Sequence, residues 1–189
     1  MEDQLKNDFD KIIKDLKLTE KNIKLRKKSL ENFIKYGFPN KRSEDWKFSD
    51  LKQIINSNIL KLSFFNLNTI FKEEDSSIYI NNFQHNKIVF VNGLIFKIDF
   101  NYEEKDKIEI IEDLNLDRSI NKNNALISLN HAFISNYIKL VIKQNYSLNK
   151  PLIIYNITNE ALNSKVINIR TDIRLERNSS LKLINLFHD

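Results

Sequence analysis

The sequence predicts an α+β fold, a helical N-terminal part followed by a β-rich segment that begins like the early coils of a β-helix. Three observations carry the prediction. Apolar residues recur at helical spacing up to about residue 59, the pattern turns strand-like after Lys87, and Asn92–Gly93 stands between two apolar runs as a hairpin turn. The expected division is residues 1–87, a helical domain with an irregular connection, and residues 88–189, a β-rich segment.

Composition bounds the function. The chain has 189 residues, and 41% apolar content is enough to build a core. No run of apolar residues is long enough to span a membrane, and the N-terminus is acidic and amphipathic, so a soluble cytoplasmic protein is expected, without a membrane partner. There is no Cys, which excludes disulfides, thiolate catalysis and Cys-ligated zinc or iron-sulfur sites in this segment. Asn, Ile and Lys are heavily used, and the periodic Ile-rich runs argue against reading the Asn content as disorder.

Leu5, Phe9, Ile12, Ile13 and Leu16 define a first helix over roughly residues 3–17. Thr19 caps a second, whose stripe Ile23, Leu30, Phe33 and Ile34 runs to Tyr36, so the two helices are expected to pair as a hairpin. Most of the net +5 charge lies in this region, concentrated at Lys21, Lys24, Arg26, Lys27 and Lys28. Such a run reads as a solvated helix face; the alternative is a nucleic-acid or acidic-partner binding module through residues 21–28, although nucleic acid is not the expected partner.

Gly37 can close the second helix in a left-handed conformation, and Pro39 blocks its continuation. Ser43, Glu44 and Asp45 suit a new helical turn, and Ser49 with Asp50 repeats that start signal before Leu51, Ile54 and Ile55. Trp46 and Phe48, between the two starts, read as anchors pinning the connection to a core, against the alternative of a stacking platform for a ring ligand. Phe64, Phe65, Leu67, Ile70 and Phe71 fit no single period, residues 73–77 read as a loop, and a strand is expected over 77–80.

Residues 88–91 and 94–98 flank the Asn-Gly turn as strands, and a short strand is expected over 108–111. A helix over 124–135 presents Leu126, Leu129, Ala132 and Phe133 on one side. Four strand-like runs follow, over 137–142, 152–158, 166–176 and 181–187, their starts about 15 residues apart. Regular short strands without hairpin turns suggest β-helix coils; the edge of a β-sandwich is equally permitted.

Candidate chemistry is sparse. His85, His131 and His188 are far apart, with no zinc-helix spacing, and Gly37 and Gly93, the only glycines, exclude a Gly-rich phosphate loop. The row Asn168, Arg170, Asp172, Arg174 and Glu176 alternates with apolar residues. It reads as a solvated sheet face, against the alternative of a polysaccharide-cleaving groove across Arg170, Asp172 and Arg174.

A resemblance adds to this reading. Gly37, Pro39, Lys41 or Arg42, Glu44, Trp46, Lys47, an aromatic at Phe48, Ser49, Asp50 and Leu51 resemble the G-x-P-x-x-x-x-E-x-W-K-Y-T-D-L signature of the SufD branch of the SufB/SufD family, with Phe48 and Ser49 in place of Tyr and Thr. V-F-V-N-G over residues 89–93 and S-L-N-H-A-F over 128–133 are similar to further family segments. Family members are generally much longer, so the resemblance implies an N-terminal portion only. It further implies a core that is a right-handed parallel β-helix, and a non-enzymatic role as a scaffold in iron-sulfur cluster assembly, working with SufB and the ATPase SufC. No catalytic, cofactor or metal residue carries over, because the family's functional positions lie in its later half. Gly37, Pro39, Glu44, Trp46, Lys47, Asp50 and Leu51 are therefore expected to be structural. Leu181, Leu183, Ile184, Leu186 and Phe187 make a final apolar strand without a cover, so the isolated chain is expected to form a homo-oligomer, a two-fold dimer joined through its terminal coils.

Overall fold

Along the chain the elements are α1 (Glu2–Asp15), α2 (Glu20–Tyr36), α3 (Leu51–Asn58), β1 (Asn86–Val91), β2 (Leu94–Asp99), β3 (Ile108–Ile111), α4 (Ala125–Phe133), β4 (Asn136–Ile142), β5 (Leu152–Ile157), β6 (Ile169–Leu175) and β7 (Leu183–His188). The computed structural model describes residues 2–41, 46–58, 63–64, 78–115, 124–159, 162 and 165–188. They form a mixed α+β structure with four helices and two mixed sheets, in two units. One unit takes Met1–Leu67, Leu114–Ser135 and Ser164–Asn168; the other takes Asn68–Asp113, Asn136–Asn163 and Ile169–Asp189. The helical unit is thus not continuous in sequence. The division expected at residue 87 left α4 with the strands, whereas its apolar face packs with α1 and α2.

In the helical unit Leu5, Phe9 and Ile12 of α1 join Leu30 and Phe33 of α2 and Leu129, Ala132 and Phe133 of α4 in one core. Phe133 is its centre, edge-on to Phe9 at 6.1 Å and tilted against Phe64 at 5.2 Å. Thr19 caps α2, its hydroxyl accepting from the Asn22 N–H, and Asn124 caps α4 through the N–H groups of Leu126 and Ile127. The expected α1–α2 hairpin is corrected in one respect: the long partner of α2 is α4. Small and polar residues, Ser29 and Asn32 facing Ser128 and His131, let those two helices approach. Asp8, on the buried side of α1, is satisfied there by the Phe64 N–H at 3.1 Å.

In the other unit the first sheet has the order β2-β1-β5-β7 and the second β3-β4-β6. Asn92 (φ 48°) and Gly93 (φ 80°) make the tight turn between β1 and β2. Strand β5 pairs in parallel with β1 on one side and β7 on the other, while β4 is antiparallel to β3 and parallel to β6. Ile88, Phe90, Leu152 and Ile154 of the first sheet meet Ile138, Leu140 and Ile142 of the second in a common apolar layer. The other face of the first sheet buries Val89, Val91, Ile153, Tyr155 and Ile157 beneath Ile78, Tyr79 and Ile80. Those last three residues are not a strand: the expectation over 77–80 fails for 78–80, which pack by side chains without a ladder, and Ser77 lies outside the described residues. Phe65, Leu67, Ile70 and Phe71 lie outside them too.

The repeat is longer than the spacing of strand starts suggested, because its unit is a strand–turn–strand pair. Leu140 lies beside Ile173, and Leu152 beside Leu183. The pairing continues through the turns, where the Asn145 N–H donates to Arg177 and the Leu148 N–H to Ser180. Asn145 and Asn178 both take positive φ, 59° and 56°, and the Asn178 carboxamide donates to Asn145 at 3.0 Å, 33 residues away. The Ser180 hydroxyl donates to Ser147 at 2.7 Å across the same interval.

Candidate functional site

The signature stretch is a helix-to-helix connector. Gly37 closes α2, its N–H donating to the Phe33 carbonyl at 2.6 Å, and Asp50 opens α3 by accepting from the Gln53 N–H at 2.9 Å. Leu51 and Ile55 then turn into the helical core. Pro39 is half-buried and Lys47 exposed, while Glu44, with Arg42, Ser43 and Asp45, lies outside the described residues. The pair of aromatic anchors expected here needs correction. Trp46 is half-buried and Phe48 is 87% exposed, with the Lys47 ammonium over its ring. The buried ring is Phe38, edge-on to Phe33 at 5.0 Å. Between a turn-forming Gly and a Pro it belongs to no apolar period, although an aromatic one residue past a helix end often folds back onto the last turn.

A polar seam runs between α2 and α4. Arg26, Ser29, Leu30 and Phe33 lie on one face of α2 by helical spacing. The Arg26 guanidinium is fully buried and donates to the carbonyls of Ile134, at 2.6 Å, and Leu114, at 3.3 Å, while among the described residues its Nε has no partner. Ile134 is the C-terminal cap of α4, where unpaired carbonyls concentrate negative charge, so this cation is placed against a helix dipole. Burial pulls its pKa down to about 10, which leaves it charged at neutral pH. The basic run therefore loses Arg26 to the interior and presents only Lys21, Lys24, Lys27 and Lys28.

Ser29 and His131 stand 3.0 Å apart, both buried, in a way that superficially suggests a nucleophile and its base. The protons run the wrong way. The Ser29 hydroxyl donates to the Leu25 carbonyl at 2.9 Å, so His131 Nδ1 supplies the hydrogen between the two. A nucleophilic serine must instead donate to its histidine. The pair locks helix register, with Asn32 donating to Ser128 at 2.7 Å one turn further along.

The polar row of β6 forms as expected for Arg170, Asp172, Arg174 and Glu176, whereas Asn168 is buried. Arg170 holds Asp172 in a fork, Nε at 2.9 Å and Nη2 at 3.2 Å, and the Tyr137 hydroxyl donates to the same carboxylate at 3.0 Å. Glu176 accepts the Gln144 N–H at 3.0 Å, and Glu109, on β3, pairs with Lys143. A glycoside-cleaving pair needs one carboxylate poised to give a proton and another facing the sugar. Here each carboxylate is spent on a neighbour, which is the pattern of a solvated sheet face.

The remaining histidines are not brought together. His85 Nδ1–H donates to the Phe83 carbonyl at 3.1 Å, leaving Nε2 to accept from the Tyr155 hydroxyl at 2.9 Å, and that oxygen accepts the Ile80 N–H. Burial pushes the Tyr155 phenol up. His188 is exposed, and among the described residues no group of His, Asp or Glu is placed to hold a metal ion. One well-satisfied polar cluster carries no sign in the sequence pattern. Glu103 accepts from Asn86 Nδ2 (2.6 Å) and the Lys150 N–H (3.0 Å) on one oxygen, and from the Tyr146 hydroxyl (2.8 Å) and the Asn149 N–H (2.9 Å) on the other. Burial would raise its pKa, but these four donors outweigh it and hold the carboxyl below its ordinary value. The group ties the loop after β2 to the turn before β5. No protein-family model matches the chain, and no curated protein matches it.

Proposed function

We propose that this chain is a non-catalytic scaffold, the N-terminal portion of a SufD-like subunit of an iron-sulfur cluster assembly complex, and that β4 to β7 are successive coils of a right-handed parallel β-helix. The observation that carries the reading is the parallel stacking of β6–turn–β7 on β4–turn–β5, with Asn145 beside Asn178 and Ser147 beside Ser180. Parallel stacking of whole strand–turn–strand units, rather than hairpins, is the defining geometry of such a solenoid, and right-handed crossovers are its usual hand. The connector at Gly37, Trp46 and Asp50, which carries the resemblance, links α2 to α3 beside the helical core, a place for a structural signature.

On this reading SufB and SufC are the partners, and the chain shapes a subunit instead of holding the cluster, having no thiolate to offer. The test is a chimera in which residues 1–189 replace the corresponding part of a complete SufD. The expected result is that the chimera copurifies with SufB and SufC and restores growth that depends on the Suf system. A soluble, cooperatively folding chimera that recovers neither partner would overturn the reading.

A further inference from the structure

Charge is distributed differently on the two long N-terminal helices, although both draw on the same Lys-rich composition. The exposed charges of α1 are mixed, Glu2, Asp3, Asp10 and Asp15 against Lys6, Lys11 and Lys14. Two of its lysines pair locally, Lys6 with Glu2 at 2.7 Å and Lys11 with Asp8 at 3.5 Å. On α2 the exposed lysines stand at positions 21, 24, 27, 28 and 35, against Glu20 and Glu31 alone. Among the described residues Lys24, Lys27 and Lys28 pair with no carboxylate. With about 3.6 residues per turn, Lys21, Lys24, Lys28 and Lys35 fall within about 60° of arc and run about 21 Å along the axis. That line lies opposite the buried Arg26, Ser29 and Phe33, so the lysines project into solvent as one straight row, with Glu31 in it.

We infer that this row docks an acidic α-helix of a partner protein, one with carboxylates opposite Lys21, Lys24, Lys28 and Lys35 and a cation opposite Glu31. A straight row on one helix is matched by a straight row on another. Read antiparallel, the partner carries its carboxylates at i, i+7, i+11 and i+14 and its cation at i+4, all on one helical face. The antiparallel direction also sets the positive N-terminal end of α2 beside the negative C-terminal end of its partner. Glu31 decides between classes of partner. A nucleic-acid backbone is anionic at every step and is repelled at this position, whereas a protein varies its sign residue by residue. The row holds no apolar side chain, so the contact is made by exposed ion pairs that each contribute little, and its register comes from the pattern of signs.

The probe is an Ala-based helical peptide with Glu at i, i+7, i+11 and i+14 and Arg at i+4, titrated into the intact chain at low ionic strength and followed by nuclear magnetic resonance. Amide shifts should concentrate on α2, and a peptide of the same composition with its charges scattered round the helix should bind about tenfold more weakly. Raising the salt to about 0.5 M, where the Debye length is about 4 Å, should abolish binding. Lys24→Glu with Lys28→Glu should weaken it about tenfold, with the helical circular dichroism retained. Glu31→Lys gives the sharper readout. It adds positive charge, yet it should weaken the patterned peptide about threefold, and a peptide with Glu in place of its Arg should restore the loss. No binding, equal binding of the scattered peptide, or binding that survives the double Glu change overturns the inference. So does a Glu31→Lys chain that holds the patterned peptide more tightly. Random duplex DNA bound more tightly than the peptide at the same salt would overturn it too, and assign the row to nucleic acid.

Discussion

Gly37 offers the cleanest test of how the signature connector works. Its φ of +69° is combined with ψ of −169°, outside the left-handed helical region and inside one that glycine almost alone occupies. A Cβ placed there would have nothing within 4 Å, so Gly37→Ala creates no clash and its cost is backbone strain alone. That strain is about 1–3 kcal/mol. The substitution also removes freedom from the unfolded chain, which returns about 0.4–1 kcal/mol, so the net loss should be about 1–2 kcal/mol. In urea, with a slope of about 1–3 kcal/mol per molar, the midpoint for loss of helical signal should fall by about 0.5–1 M. Gly37→Asn discriminates further. Asn commonly replaces Gly at helix ends that need the left-handed helical conformation, but gains nothing at this ψ, so it should lose as much stability as Ala. Wild-type stability in Gly37→Ala, or recovery in Gly37→Asn, would show that the chain does not turn here as described.

Arg26→Met strips the Ile134 and Leu114 carbonyls of their charged donor and should cost about 2–3 kcal/mol by denaturant titration, with Arg26→Lys failing to restore it because one ammonium does not reproduce the fork. Glu103 has a lowered folded pKa, so the stability it contributes is present above its unfolded value, near pH 4.5, and is lost as pH falls through the folded one. Glu103→Gln should cost about 1–2 kcal/mol at neutral pH and flatten that acid slope in thermal melts; an unchanged slope would count against the four-donor site. Phe48→Ala should leave the melting temperature within the scatter of a surface change, about 0.5 kcal/mol, and Trp46 fluorescence should peak between the buried and fully exposed limits. A large loss from Phe48→Ala would restore the two-anchor reading.

What could be read from sequence was local. Thr19, Gly37, Asp50 and the Asn92–Gly93 turn were legible because each satisfies or bends backbone within a few residues of itself. The partners of those elements were not. His131 lies 102 residues from Ser29 and Asn149 lies 46 from Glu103, and neither spacing leaves a periodic trace. Arg26 is an intermediate case. Read by composition it belonged to a run of lysines, but it stands four residues before Leu30 and seven before Phe33, on the stripe that faces inward. It is also the one guanidinium in the run, the cation better suited to buried carbonyls.

The stacking of strands left a mark that spacing by single strands could not reveal. Asn145-Tyr146-Ser147-Leu148 and Asn178-Ser179-Ser180-Leu181 are the same corner written twice. In each, Asn supplies the positive φ that turns the chain, Ser carries the hydroxyl contact to the neighbouring corner, and Leu packs against the apolar layer between the sheets. Because the corner lies inside the repeat and the strands on either side enter different sheets, counting from one strand start to the next halves the true period. The flanking strands conceal it as well: Ile, Leu and Val at alternate positions fit either sheet and either register. Only the corner demands particular side chains, since a left-handed residue, a hydroxyl and an inward Leu are needed in that order. The physical information about topology in this chain is therefore concentrated in its turns, and a search for equivalent turns would find the stacking that a search for strands misses.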